Sequence, residues 1–308
     1  MKIYFNRKPV TGPWGGGNKT LHALVEAVSH KHEITYSLDE DVDLIYCQDP
    51  KPGPDGLWYQ DFLDHKLKHG TKIIQRVGDI GTHRGPQITQ LVKDTLQYSD
   101  IIIFPSDWAR RAIGFNQENY FIVHNAPNDA FYKHRDLSIS PKQNGKIRIV
   151  THHWSDNDMK GFDVYEKLGN YANSRSDIEF SYIGRYSNKF SHNGISLHKP
   201  IDIEQLSVIL PTYDVYLTAS KLEAGANHVL EGIACGLPVL YRSGGGSIDE
   251  YCCQYGLQYE TFDQLVKSIE FIKKAYSSYK GQVARYNHKI SEVISAYTGI
   301  IGQLEHGT

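Results

Sequence analysis

The feature that most constrains the fold is a repeated alternation of short apolar runs with amphipathic segments. The first series of runs comprises MKIYF, HEITYSL, VDLIYCQ, TKIIQRVGD, DIIIFPS and YFIVHNA. Runs of this length, rich in β-branched residues, are typical of buried parallel strands, and the polar segments between them are typical of the connecting helices. The first half of the chain is therefore predicted to form a doubly wound α/β unit.

A polar stretch rich in Pro, Gly, Ser and charged residues, 132–146, interrupts the alternation and resembles a linker. A second series then begins, with the runs IRIVTHHW, IEFSYIGRY, GISLHKPI, YDVYLTAS, LPVLYRSG and GLQYE. The helices predicted between and after them are FDVYEKLGNYAN, IEQLSVILPTY and TFDQLVKSIEFIKKAYSSY, and a last helical segment covers about 281–304. The sequence thus predicts two Rossmann-like domains, 1–140 and 146–283. Because ligands bind at the carboxyl ends of parallel strands, a central cleft between the domains is expected.

Composition excludes several classes of protein. The 33 basic and 35 acidic residues nearly balance, so the chain lacks the net positive charge that would attract nucleic acid. The chain starts without the apolar run of a signal peptide, and no stretch is long enough to span a bilayer. The four cysteines lack zinc-ligand spacing, so a reduced, cytoplasmic location is the simplest expectation.

The segment EAGANHVLEGIACGLPVLYRSGGGSIDEY, 223–251, carries the main functional signal. Glu223 should lie in the loop after a strand that ends near Ser220. A helix that starts around Ala226 would then place Glu231 well inside it. The amides at this helix start, which attract phosphate, belong to Ala226, Asn227, His228 and Val229.

Two carboxylates around such a helix start suit a nucleotide sugar, because a carboxylate accepts two hydrogen bonds from a vicinal diol. The plainer alternative makes Glu223 a solvated loop acid and Glu231 a helix-surface acid. The small apolar run that follows Glu231 favours a buried helix face, and a buried acid needs a partner.

On this segment the chain resembles the family-4 retaining glycosyltransferases of the GT-B fold. Their pattern is a Glu, seven residues and a second Glu, followed by a small A-x-G-x-P-V run and a Gly-rich loop. Here these features are Glu223, Glu231, ACGLPVL and GGGSIDEY. The resemblance implies that Glu231 binds the nucleotide ribose and that Glu223 orients the donor sugar. It also implies that a C-terminal helix, about 284–304, packs back on the first domain.

The resemblance extends to THHWSDNDMKGFDVY, 151–165, where the family has a Lys-Gly pair that opens the next helix. Lys160 matches that lysine, and a fixed cation there would stabilise the departing diphosphate; the alternative is a solvated lysine. The family's arginine after the preceding strand is missing, and His152, His153 and Trp154 stand near its place. Whether the histidines or Arg185 replace it is left open, and His153 and Arg185 are both candidate donor-binding residues.

Two segments of the first domain are also candidates. In GPWGGGNKTLHALVEAV, 12–28, the resemblance implies that Gly16, Gly17 and Asn18 reach the diphosphate and acceptor, against the alternative of a flexible turn. In RVGDIGTHRG, 76–85, the resemblance implies a histidine or aspartate close to the reacting carbon or acceptor, and Asp79 and His83 are the candidate catalytic residues.

The resemblance therefore implies a metal-independent retaining glycosyltransferase without a cofactor. Its partners would be a nucleoside-diphosphate sugar and a carbohydrate or glycolipid acceptor, with contact at the membrane periphery if the acceptor is a lipid, and no nucleic acid. Adjacent histidines without a carboxylate or cysteine cluster do not indicate a metal site. Two alternatives stay open: a sugar-nucleotide epimerase of the same fold, and a non-catalytic protein that binds nucleotide sugars or glycans.

Overall fold

The computed structural model describes residues 1–10, 16–143 and 145–305. The chain forms two compact units. One comprises Met1–Asn125 with Ile290–Thr308, and the other comprises Ala126–Lys289. The first unit thus ends at Asn125, earlier than the predicted boundary at residue 140.

The first unit contains a parallel sheet with helices between its strands. The strands are Lys2–Phe5 (β1), Glu33–Thr35 (β2), Leu44–Cys47 (β3), Lys72–Arg76 (β4), Ile101–Phe104 (β5) and Tyr120–Ile122 (β6). The helices are Gly16–Ser29 (α1), Tyr59–His69 (α2), Pro86–Leu96 (α3) and Asp107–Ile113 (α4). The strand order is β2-β1-β3-β4-β5-β6, so the order reverses between β1 and β3.

The second unit contains the other sheet. Its strands are Ile147–His153 (β7), Ile178–Gly184 (β8), Ser196–His198 (β9), Val215–Thr218 (β10), Val239–Arg242 (β11) and Gly256–Tyr259 (β12). Its helices are Ala130–Lys133 (α5), Phe162–Asn173 (α6), Ile203–Ile209 (α7), Asn227–Ala234 (α8), Ser247–Cys252 (α9), Phe262–Lys274 (α10) and Tyr276–Val283 (α11).

Every strand pair in both sheets is parallel, and all twelve predicted strands are present. The second sheet has the order β12-β11-β10-β7-β8-β9, which is the Rossmann order. Its core lies on both faces, because the strands are apolar on both sides and helices cover them. The predicted α/β fold class of two Rossmann-like doubly wound sheets is confirmed.

The last helix, Ile290–Gln303 (α12), packs against α1 within the first unit. It begins at Ile290 and not at the predicted position near 284. The carbonyls of Tyr286 and His288 explain the difference, since they accept hydrogen bonds from Arg135 and Tyr132. These side chains hold 286–288 in a non-helical conformation on the second unit.

The predicted linker, 132–146, is attached to the second unit by a buried lysine. Lys280 of α11 donates from Nζ to the carbonyl oxygens of Asp136 and Gly236, at 2.6 and 2.5 Å. Gly236 follows the end of α8. One ammonium group therefore ties the linker, α8 and α11 together.

Burial lowers the pKa of Lys280 to about 8, against an ordinary value of 10.5. Between these values the unfolded chain binds the proton and the folded chain does not, so the free energy of unfolding gains a term that rises from pH 8 to pH 10. We expect urea titrations to show this rise in the wild type and in a control Lys274→Met, an exposed lysine of α10, but not in Lys280→Met. The Lys280→Met variant should also lose about 1–3 kcal/mol at pH 7, because one buried and one half-buried carbonyl lose their donor. Equal pH slopes in all three proteins would contradict this assignment.

Candidate functional site

The candidate site lies where the strand order of the second sheet reverses. β7 and β10 are neighbours there, with Tyr216 opposite Val150. In open parallel sheets this switch point opens a crevice at the carboxyl ends of the strands. His152 and His153 end β7, and Thr218 ends β10. The following loops bring Lys160, Glu223 and the start of α8 to the same edge.

Lys160 and Glu223 are in direct contact. Lys160 ends a 3-10 turn, Asp158–Lys160, and its Nζ lies 2.6 Å from Oε1 of Glu223. Each side chain is 13% exposed. Gly161 makes this approach feasible: its φ is +82°, and a methyl group there would overlap the carbonyl of Ala219 after β10. Two predicted catalytic residues, 63 positions apart, thus form one ion pair.

The glycine-rich loop of the second unit, 244–246, is hydrogen-bonded to the main chain at Glu223. The amide of Leu222 donates to the carbonyl of Gly244, and the amide of Glu223 donates to that of Gly245, at 3.1 and 2.9 Å. The amide of Ser247, at the start of α9, donates to the carbonyl of Glu223 at 2.8 Å. Leu222 has a φ of +51°, the only positive φ of a non-glycine residue in the described ranges. This strained turn and its three hydrogen bonds hold the main chain at Glu223 in place.

Glu231 lies inside α8, is 9% exposed and has a partner. Its Oε2 is 2.7 Å from Nε2 of His152, whose side chain is 2% exposed. Nδ1 of the same ring is 3.0 Å from the hydroxyl of Tyr216. The interpretation of Glu231 as a surface acid is therefore wrong, and the expectation that a buried acid needs a partner is confirmed.

His153 and His228 form a second buried cluster beside this pair. Nε2 of His153 is 2.8 Å from the hydroxyl of Tyr165, and the two imidazole rings lie edge to face at 4.9 Å. Nε2 of His228 is 2.9 Å from Oγ1 of Thr218. Burial raises the pKa of Tyr165 to about 12, so the phenol keeps its proton at neutral pH.

The start of α8 presents main-chain amides to the site. Ala226 precedes the helix and supplies no side-chain cap, while its own amide donates to Oγ of Ser247 at 3.0 Å. The amides of the first turn, Asn227, His228 and Val229, follow directly. Ala226, His228 and Val229 are buried, and Asn227 is half-buried. An anion at this helix start would meet N–H groups and the positive end of the helix dipole.

Arg185 lies at the end of β8 with an exposed side chain. Its amide donates to the carbonyl of His153 at 2.9 Å, which places Arg185 beside the end of β7. It lines an open pocket of about 490 Å³ together with Asp156, Tyr186 and Lys199, among others. Within the described ranges, no group of three or more His, Cys, Asp or Glu side chains is arranged to hold a metal ion.

The candidates of the glycine-rich loop in the first unit have local contacts. Gly16 begins α1, and the carbonyl of Gly17 is 3.3 Å from the side-chain amide of Gln48. The side chain of Asn18 exchanges two hydrogen bonds with the main chain of Val10. Residues 11–15 lie outside the described residues. A binding role for these three residues stays a prediction.

Asp79 and His83 lie on one loop after β4. One carboxylate oxygen of Asp79 accepts from the amide of Gly81 at 2.8 Å, and the other pairs with Arg84 at 3.1 Å. The carboxylate thus shapes its own loop. His83 is half-buried on that loop. Their catalytic role also stays a prediction.

Sequence reasoning missed two residues of the site, Tyr165 and Tyr216. Both occur in apolar patterns, on the buried face of α6 and within β10, where an aromatic residue is usually core. Their hydroxyls hold His153 and His152. The one available signal was a tyrosine in place of phenylalanine at a buried position, since a buried hydroxyl needs a partner.

The described part of the chain contains no helix long and apolar enough to cross a bilayer, and its four cysteines are free. No protein-family model matches the sequence, and no curated sequence is detectably similar to it.

Several solved structures share the architecture. HepE from Anabaena, in complex with UDP-glucose, aligns with a TM-score of 0.74 and 11% identity over 98% of this chain and 100% of that chain. Sucrose-phosphate synthase from Thermosynechococcus elongatus aligns with a TM-score of 0.65 and 15% identity over 99% and 97% of the two chains. WaaG, a glycosyltransferase involved in lipopolysaccharide biosynthesis, aligns with a TM-score of 0.63 and 15% identity over 98% and 100%. At identities this low, structural similarity indicates a shared fold and not a shared activity. The chain has the GT-B fold of two Rossmann-like units.

Proposed function

We propose that the protein is a retaining glycosyltransferase, which moves a sugar from a nucleoside-diphosphate sugar to a hydroxyl of a carbohydrate or glycolipid acceptor. One observation carries the proposal. Lys160, Glu223 and Glu231 converge with the start of α8 at the switch point of a Rossmann sheet. That arrangement offers a cation, a helix N-terminus and two carboxylates within one site, which matches the charges and hydroxyls of a nucleotide sugar.

Each group has a role in this scheme. The carboxylate of Glu231 binds the ribose hydroxyls, and the first-turn amides of α8 bind the diphosphate. Glu223 orients the donor sugar through its hydroxyls. Lys160 stabilises the negative charge that grows on the diphosphate as the glycosidic bond breaks. The family resemblance and the contact between Lys160 and Glu223 support this assignment.

The proposed chemistry needs no enzyme nucleophile. The acceptor hydroxyl attacks the anomeric carbon on the face from which the diphosphate departs, and the departing phosphate oxygen takes the hydroxyl proton. The configuration is thereby retained. We propose that this occurs without a bound metal, because Lys160 and the helix amides carry the phosphate charge. A cytoplasmic site of action, consistent with four free cysteines, belongs to the same proposal, as does peripheral membrane contact if the acceptor is a lipid.

A thermal-shift panel of UDP-, GDP-, ADP- and CDP-sugars tests the donor site. A ligand that binds the folded state raises the melting temperature by mass action. We expect one base and sugar to give the largest shift and Glu231→Ala to abolish it. The control Glu204→Ala, an exposed glutamate in the first turn of α7, should keep the shift. No shift with any compound, or an unchanged shift in Glu231→Ala, would refute the proposed donor site.

Turnover of the selected donor separates the remaining alternatives. A glycosyltransferase releases nucleoside diphosphate, slowly to water and faster once an acceptor is supplied. An epimerase would convert the donor sugar to its epimer when no acceptor is present. A protein that only binds would show the thermal shift and no release that depends on Glu223 and Lys160.

A further inference from the structure

We propose that His152, held by Tyr216, is a positioning residue that fixes the Glu231 carboxylate for the ribose hydroxyls. This inference rests on the proposed function, since it deepens the role of Glu231. The three side chains come from β7, β10 and α8, so no local pattern links them. They form one line of contacts, with Tyr216 to His152 at 3.0 Å and His152 to Glu231 at 2.7 Å.

The hydrogen bonds of the His152 ring determine which imidazole nitrogen carries the proton. The hydroxyl of Tyr216 accepts from the main-chain amide of His152 at 3.2 Å. The ionised carboxylate of Glu231 can only accept a hydrogen bond, so Nε2 of His152 donates to it at 2.7 Å. In the neutral ring Nδ1 is then the acceptor, and it lies 3.0 Å from the hydroxyl of Tyr216.

The burial of this line makes its geometry rigid. Tyr216 and the His152 side chain are at most 2% exposed, and their rings meet edge to face at 5.5 Å. Burial also raises the pKa of Tyr216, so the phenol remains a donor. Gly232, next to Glu231, lies against the Tyr216 ring, where a methyl group would come within 2.7 Å of Cδ2. This close approach brings α8 near enough for a β7 side chain to reach Glu231.

The line uses one oxygen of Glu231 and leaves the other available. Oε2 accepts from His152, while among the described residues no hydrogen bond reaches Oε1. The Glu231 side chain is 12% exposed, against 2% for His152. The carboxylate is thus held from the buried side and open on the other. His152 is therefore committed to Glu231 and does not take the place of the missing arginine.

The test is the preference of the protein for a ribose over a dideoxyribose, measured by calorimetry. The probes are UDP, GDP, ADP and CDP, each paired with its 2′,3′-dideoxy form. For the base that binds, the wild type should prefer the ribose form by about 10- to 100-fold, the value of one or two hydrogen bonds to a charged acceptor. His152→Leu should reduce that ratio below about threefold. His152→Gln, whose amide can still donate to Glu231, should keep most of it, and Tyr216→Phe should give an intermediate ratio.

The controls separate positioning from folding. His65→Leu and Tyr59→Phe alter a buried histidine and a buried tyrosine of the first unit and should leave the ratio unchanged. Circular dichroism melts identify variants that fold, and if His152→Leu does not fold, the Gln and Phe variants decide. A wild-type ratio in a folded His152→Leu, or equal loss in His152→Leu and His152→Gln, overturns the inference and leaves the proposed function intact. If none of the four diphosphates binds the wild type, both are overturned.

Discussion

Lys160→Met is expected to slow release of nucleoside diphosphate from the donor by about 100- to 1,000-fold, the usual cost of removing a group that stabilises transition-state charge. The affinity for the diphosphate sugar should change far less, because in the proposed mechanism the charge that Lys160 stabilises develops as the glycosidic bond breaks. The rate is measured under saturating donor. Lys167→Met, which removes an exposed lysine from α6, is the matched control and should retain the wild-type rate.

The Glu223→Gln variant is also expected to release nucleoside diphosphate slowly. The double variant, Lys160→Met with Glu223→Gln, should be little slower than the slower of the two single variants. The two side chains are 2.6 Å apart and largely excluded from water, so each loses its function when the other is removed. Groups that act as one unit show such non-additive losses. Losses that multiply in the double variant would show that the ion pair is not the working unit. A Lys160→Met enzyme with more than about a third of the wild-type rate would remove Lys160 from the mechanism.

Gly184→Ala is expected to destabilise the protein by about 3 kcal/mol or more, the upper range for combined backbone strain and overpacking. Gly184 ends β8 at a φ of +129°, directly opposite His153 of β7. A methyl group there would overlap the carbonyl oxygen of His153. Relief of that overlap requires the end of β7 to shift, which displaces the two site histidines.

Urea unfolding followed by circular dichroism measures the effect. Gly281→Ala is the matched control: Gly281 lies inside α11 and a methyl group there meets no atom within 4 Å. That substitution should stabilise the protein by about 0.5–1 kcal/mol, the helix preference of alanine over glycine. A Gly184→Ala protein as stable as Gly281→Ala would show that the strand ends are not fixed by this contact.

The strands could be predicted because each one is a property of a short stretch. Runs such as IRIV and IIIF are rich in β-branched, apolar residues, and this feature alone favours buried parallel strands. The division of the chain was harder to predict. Residues 126–140 look like the end of the first domain, but contacts such as that of Lys280 with Asp136 attach them to the second unit.

The candidate site was predicted in part. Lys160, Glu223 and Glu231 were identified from short patterns together with a family resemblance, and the burial of Glu231 followed from the small apolar residues after it. The pairing of Glu223 with Lys160, and of Glu231 with His152, could not be predicted from the sequence. The partners of Glu223 and Glu231 are 63 and 79 positions away, and no periodicity relates them.

The sequence by itself determined the elements, because strand and helix signals act over a few residues through backbone sterics and side-chain burial. It also determined that acids would flank a helix start at the edge of a sheet. Only the tertiary structure decided that His152 contacts Glu231 through one ring nitrogen and Tyr216 through the other. Those choices depend on the order of β7 and β10 and on a glycine that lets α8 lie close to the sheet, and strand order is a long-range outcome of packing.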